Sequence, residues 1–280
     1  MPELPEVETI RRGMEKTIRG HVIAKVEQRR SGLRVPFPAN FSKELEGKKI
    51  ERLTRRAKYI LIHLASRTVI LHLGMSGRIL LVPAKGNYQP QKHDHLILDF
   101  DDGSKMIFND ARRFGMVMMA DENEVANHPA FKDLGPEPLD NGFSAPVLFD
   151  SLRNKKTSIK AALMDQRVVA GLGNIYVCEA LFHAGIGPAR IAATLSEEDA
   201  EKLVKAIRKV LNEAIAAGGS TLRDYRHADG ELGYFQHHFA VYDREGEPCP
   251  GCSCDISRSG GVRKITQGGR STYYCPEKQV

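Results

Sequence analysis

The sequence predicts an α+β fold in two domains, and three observations predict it. Apolar residues alternate with period two from Gly20 to about residue 120, helical periodicity takes over from about residue 150, and cysteines crowd the C-terminal end. A chain of 280 residues with 41% hydrophobic residues is long and apolar enough for two ordinary cores, which excludes a disordered or fibrous class.

The elements follow in order. Pro5 suits the first turn of a helix whose apolar stripe is Val7, Ile10 and Met14. After Gly20 the strand candidates are His21–Glu27, Lys49–Leu53, Tyr59–Leu64, Val69–Leu73, Arg78–Val82, His95–Phe100 and Lys105–Phe108, with Phe114–Ala120 continuing the same character. Asp101-Asp102-Gly103 is a hairpin turn signal. The first 120 residues thus predict one helix packed on a β-sandwich or flattened barrel. Gly135, Pro136 and Pro138 interrupt both periodicities and place a hinge near Leu134–Asn141. Beyond it, Ser158–Met164 and Ile175–His183 predict helices around the turn Gly171-Leu172-Gly173-Asn174, the second closed by Gly185. Ser196 with Asp199 reads as a capping box for a longer helix carrying Leu203, Ile207, Leu211 and Ile215, which Gly218-Gly219 ends.

Charge narrows the partner. Net charge is +6 with a pI near 9.0, which favours a polyanion. The basic residues fall at separate points, among them Arg29-Arg30, Arg52 to Lys58, Arg112-Arg113 and Arg153 to Lys160, a spread that suits a long curved ligand. No run reaches the roughly 18–20 apolar residues of a membrane span. The acidic, proline-rich start is unlike a secretory signal, so the expectation is a cytoplasmic protein, nucleoid-associated, with no membrane partner.

Several residues carry chemistry. Removal of the initiator Met exposes the secondary amine of Pro2, and an α-amine titrates about two units below a lysine. Such an amine attacks a carbon at the aldehyde oxidation level to give an iminium. Glu3 and Glu6 stand beside it in sequence. Lys58 precedes an apolar strand, at a sheet edge. Met75 sits in the Gly-bracketed turn His72 to Gly77, and Arg112, Arg113 and Phe114 share the turn Asn109 to Gly115. Apolar wedges beside arginines suit insertion into a base stack beside an extruded nucleotide. Five cysteines in a reducing compartment argue for a metal site over a disulfide framework.

The start Met-Pro-Glu-Leu-Pro-Glu-Val-Glu-Thr with Arg11-Arg12-Gly13 resembles the bacterial formamidopyrimidine-DNA glycosylase (8-oxoguanine DNA glycosylase/AP lyase) family. The resemblance continues through Arg55 to Tyr59, His72 to Gly77, Lys92 to His95, Asn109 to Gly115, Leu134 to Leu139, Leu163 to Gln166, Gly171 to Tyr176, Thr221 to Tyr225, Gly233 to Phe235 and Gly269 to Cys275. It implies a catalytic β-sandwich domain over 1–134, a helix–two-turn–helix domain over 141–235 and a zinc-finger β-hairpin over 236–280. It implies excision of oxidised purines from double-stranded damaged DNA by a monomer. Pro2 would be the nucleophile at C1′, Glu3 the general acid/base of sugar ring opening, Lys58 the β-elimination proton donor and Arg270 the residue of δ-elimination. Met75, Arg112 and Phe114 would fill the void, with His93, Arg112, Lys155, Lys160 and Asn174 at the DNA, and Ser220–Tyr234 a lid over the flipped base.

Two rivals remain at this level: a DNA-binding protein without catalysis, and an endonuclease VIII-like lyase of oxidised pyrimidines. The cysteines also depart from the family pattern. Cys249-Pro250-Gly251-Cys252 is a CxxC knuckle, but the second knuckle reads Cys275-Pro276-Glu277-Lys278, a lysine standing where the fourth cysteine belongs. One zinc ion per chain is expected. Its ligands are Cys249, Cys252 and Cys275 with Cys254 recruited, or those three thiolates and water; a metal-free hairpin is the remaining alternative.

Overall fold

The computed structural model describes residues 1–220 and 233–280, which form two compact units, Met1–Lys132 with Ala217–Tyr234 and Asp133–Ala216 with Phe235–Val280. In the first unit α1 (Leu4–Ile18) has proline in its first turn, where a missing N–H costs nothing. The strands are β1 (Ile23–Gln28), β2 (Arg52–Arg56), β3 (Tyr59–His63), β4 (Arg67–His72), β5 (Gly77–Val82), β6 (Asp94–Phe100), β7 (Lys105–Asp110) and β8 (Met116–Asp121), with the short helix α2 (Phe41–Leu45) between β1 and β2. They make two four-stranded sheets, ordered β1-β6-β7-β5 and β2-β3-β4-β8, and every pair is antiparallel. Both sheets feed one core with α1. Val7, Ile10, Met14 and Ile18 of the helix meet alternate residues of the strands, among them Ile60, Ile62, Val69, Leu71, Leu96, Leu98 and Phe108.

The expected α+β class and the helix-plus-sandwich architecture hold, and three details differ. Ladder pairing of β2 begins at Arg52, because Ile50 accepts the Gly20 amide and donates to the His21 carbonyl instead. β8 begins at Met116, because Arg113 takes a left-handed φ of 60° that ends any extended run through Phe114. The helix α2 is too short for a repeating sequence signal, and burial of its i,i+4 pair Phe41 and Leu45 holds it.

The second unit comprises α3 (Ala145–Leu152), α4 (Ile159–Met164), α5 (Asn174–Ala184), α6 (Glu197–Ala216), α7 (Ile256–Ser259) and the hairpin β9 (Arg263–Gln267) with β10 (Arg270–Tyr274). The predicted capping box is present, with the Asp199 amide 3.1 Å from Ser196 Oγ and the Ser196 amide 3.1 Å from Asp199 Oδ2. Gly185 closes α5 at φ 72°. Cys178 and Phe182 of α5 share a core with Val262, Tyr273, Cys249 and Cys275, so the hairpin and the cysteines are anchored on that helix. Among the described residues no helix is long and apolar enough to cross a membrane.

Candidate active site

The amino terminus is held from behind. Pro2 is half-buried immediately ahead of α1, and the Glu3 amide donates to Glu6 Oε2 at 2.8 Å. The other oxygen of Glu6 accepts from the Ser220 amide at 2.9 Å and from its hydroxyl at 3.0 Å. Glu6 therefore ties the backbone beside Pro2 to Ser220. The lid expected over 220–234 falls mostly outside the described residues.

Lys58 lies in the tight turn between β2 and β3, where Ala57 has φ 51°, and its side chain is buried. Arg55 ties that turn to α1, with Nε 3.3 Å from Glu8 Oε2 and a guanidinium nitrogen donating to the Ala57 carbonyl at 2.9 Å. Burial raises the Glu8 carboxyl, but hydrogen bonds from Arg11 and Arg12 and the charges of Arg11 and Arg55 outweigh it and leave it below the usual range. Next to Lys58, burial pushes the His72 imidazolium down to about 4, helped by the charges of Lys58 and Arg34. His72 Nδ1 accepts the Gly74 amide at 3.1 Å, so the neutral ring carries its proton on Nε2.

Two turns project from the β5–β7 end of the sandwich. Met75 is 39% exposed and Phe114 42% exposed, unusual for large apolar side chains. The Arg112 guanidinium lies 4.9 Å from the Phe114 ring centroid. His93 is half-exposed, and its carbonyl accepts the Asp110 amide at 2.9 Å.

In the second unit Gln166 braces the turn before α5, donating to the Leu172 carbonyl and accepting the Gly171 amide, both at 2.9 Å. Asn174 opens α5, and its Nδ2 donates to the Ser271 carbonyl at 2.9 Å and the Tyr242 hydroxyl at 3.4 Å. Its Oδ1 is buried without a partner. Lys160, expected at the DNA from the resemblance, is buried in the chain alone. It is 2% exposed and its ammonium donates to Thr272 Oγ1 at 2.6 Å and the Ser271 carbonyl at 3.2 Å. Lys155 is half-exposed and pairs with Asp165 at 3.5 Å. Arg270 is exposed at the hairpin tip, where Gly268 and Gly269 supply the two positive φ angles of a tight two-residue turn.

The sulfurs of Cys249, Cys252, Cys254 and Cys275 lie within 4.8 Å of one another. Tetrahedral zinc with bonds of about 2.3 Å separates its sulfurs by about 3.8 Å. The spacings are 3.4 Å for Cys249–Cys275, 3.7 Å for Cys252–Cys275 and 3.8 Å for Cys254–Cys275, with Cys249–Cys254 tighter at 3.0 Å. The donor set fits such an ion. Lys278 keeps only the knuckle's backbone, its amide 3.4 Å from Cys275 Sγ, while its ammonium sits 4.0 Å over the Phe182 ring. Cys254 is the fourth sulfur of the cluster.

Residues 1–117 match the family profile described as the formamidopyrimidine-DNA glycosylase N-terminal domain, and residues 134–226 match that described as its H2TH domain. The chain belongs to the formamidopyrimidine-DNA glycosylase family. Formamidopyrimidine-DNA glycosylase of Rhodospirillum rubrum is 51% identical over 280 residues, covering all of both chains. That of Dinoroseobacter shibae is 54% identical over 288 aligned residues, again covering all of both. Solved structures of the Lactococcus lactis protein superpose with a TM-score of 0.89 at 35% identity over 99% of both chains, among them complexes with DNA containing Fapy-dG and with DNA containing an abasic site.

Within this family fold, two positions escaped sequence reasoning. His72 looked like a strand end, although its place directly before Leu-Gly-Met was a usable signal. Glu179 is buried in α5 and receives the amides of Ala240, Val241 and Tyr242 at 2.7, 3.0 and 2.8 Å. Nothing in the apolar run around Glu179 separates it from an ordinary core position with one charged intruder.

Proposed function

We propose that this family member removes oxidised purines, such as 8-oxoguanine and formamidopyrimidines, from double-stranded DNA and then cleaves the abasic strand, as a cytoplasmic monomer in base excision repair. The observation that carries the reading is the fixed amino terminus, where Glu3 is buried directly beside Pro2 and its amide is held by Glu6 Oε2 at 2.8 Å, which supports a positioned secondary amine with a carboxyl next to it; Lys58, buried in the β2–β3 turn, is the second proton donor of the reading. The Pro2 nitrogen bonds to C1′ as the glycosidic bond breaks and the base leaves with its electron pair. Glu3 supplies the proton that opens the deoxyribose ring, which leaves a charged iminium. The iminium acidifies C2′, loss of that proton expels the 3′-phosphate, and Lys58 serves the transfer. Arg270, on the hairpin of the second unit, assists the second elimination, which frees the 5′-phosphate.

Cys249, Cys252, Cys254 and Cys275 would hold one zinc ion, which supplies no chemistry to the reaction and cross-links the hairpin that presents Arg270. Met75, Arg112 and Phe114 fill the space vacated by the extruded nucleotide.

Borohydride trapping on a duplex with 8-oxoguanine opposite cytosine tests substrate and nucleophile together. The protein is expected to give a covalent complex, and Pro2→Gly to lose it at least a hundredfold, a barrier rise of about 3 kcal/mol. Trapping on thymine glycol in preference to 8-oxoguanine would move the substrate to the pyrimidines. An undiminished complex with Pro2→Gly would remove the nucleophile.

A further inference from the structure

Asp110 is the last residue of β7, is fully buried, and is bonded to both projecting turns. Its Oδ1 accepts from Ser76 Oγ at 2.6 Å and from the Arg112 amide at 3.2 Å. Its Oδ2 accepts from the Gly115 amide at 2.8 Å. Ser76 Oγ also accepts the Arg112 amide, at 3.0 Å, so hydroxyl, amide and carboxylate close a small ring between the turns. From the opposite side His95 Nε2 donates to the Asp110 carbonyl at 2.8 Å, which fixes the backbone from which the carboxylate projects.

The backbones also touch. A Cβ on Gly74 would lie 2.4 Å from the Phe114 carbonyl carbon and 2.5 Å from its oxygen. Arg113, between Arg112 and the Gly115 amide, has φ 60°, a conformation costing a non-glycine residue on the order of 1 kcal/mol. The amides on both sides of it are bound to the same buried carboxylate, which over-determines that strained geometry. Met75, Arg112 and Phe114 thus leave the fold at a spacing set by one side chain that sequence reading assigned no part.

We propose that Asp110 is the positioning residue for the three void-filling side chains, holding two turns distant in sequence as a single preformed wedge for a DNA duplex with an emptied base position. The inference rests on the wedge reading given under the proposed function. Preformation matters because ordering two turns at the moment of binding would be charged against affinity, whereas a wedge fixed beforehand delivers its contacts undiminished. Only DNA with a void benefits, since undamaged duplex is held through phosphates alone.

The test compares affinity for a duplex carrying a tetrahydrofuran abasic analogue with affinity for the same duplex undamaged. Asp110→Asn keeps shape but sets an N–H₂ against either the Gly115 amide or the Ser76–Arg112 pair. It is expected to lower the lesion-to-undamaged ratio roughly tenfold, in the direction of Met75→Ala, while leaving affinity for undamaged duplex within about twofold. Ser76→Ala removes one bond with little threat to the fold, and its expected loss is roughly threefold in the same ratio. Quenching of 2-aminopurine placed opposite the analogue should fall in parallel. A wild-type ratio in Asp110→Asn, with Met75→Ala impaired, overturns the positioning role. Wild-type ratios in both Met75→Ala and Phe114→Ala would instead overturn the wedge reading itself. Should Asp110→Asn fail to fold, Ser76→Ala decides: a threefold loss supports the inference and an unchanged ratio overturns it.

Discussion

His72 shows how one residue's surroundings set its chemistry. A histidine titrating near 4 stays neutral at any pH where the protein works. Its folded value lies below the unfolded value of about 6.5, so the unfolded chain takes up the proton first. The stability owed to the neutral ring is therefore complete above about pH 6.5 and is lost as pH falls towards 4, by at most about 3 kcal/mol. Two-dimensional NMR of the ring protons should place the titration midpoint near 4, and His72→Gln should flatten the acid limb of a stability–pH curve. A midpoint near 6.5 would refute the burial argument. The candidate catalytic positions were legible only in part. Pro2, Glu3 and Lys58 stand in a recognisable string of residues, yet the Glu6 bonds to the Glu3 amide and to Ser220 span 214 positions in the second case, and no local pattern encodes that.

At the scale of elements, the hairpin β9–β10 concentrates what the sequence left open. Lys160, Asn174 and Gln267 tie its strands to α4 and its N-cap Ser158, to the start of α5 and to Pro188 beyond the end of α5, with Ser271 and Thr272 as the partners on the hairpin. Lys160→Met leaves the Ser271 carbonyl and the Thr272 hydroxyl without their buried cationic donor. It is expected to raise the fraction of abasic product that stops after β-elimination, and Lys160→Gln, which keeps a donor, should recover part of the δ-product on a denaturing gel. The cysteine cluster yields a sharper prediction. Native mass spectrometry should find one zinc per chain; Cys254→Ser should lose it, and Lys278→Cys in that background should restore it. Zinc retained by Cys254→Ser would show that three thiolates suffice. Sequence spacing could only offer Cys254 among alternatives, because the choice depends on where the Lys278 side chain goes, and it goes to the Phe182 ring.

For the whole molecule, the net charge of +6 predicts DNA affinity that falls steeply with salt. Each phosphate neutralised contributes about −0.9 to the slope of log K against log salt. Arg112→Ala, which removes an exposed cation, should make the slope shallower by about one in anisotropy titrations between about 50 and 200 mM salt. Lys160→Met should leave the slope unchanged, since its ammonium is already spent on the hairpin; an equal effect from both would place Lys160 at a phosphate after all. By itself the sequence determined the α+β class, the order of the sandwich strands and of helices α1, α4, α5 and α6, the capping of α6 and the turn positions of Met75 and Phe114, because each rests on periodicity or a short-range capping signal. Only the tertiary structure decided that Asp110 joins two turns, that Lys160 faces inward and that Cys254 completes the sulfur cluster. Those outcomes depend on which side chains become neighbours across long sequence separations, and that is fixed by packing the sheets and helices together.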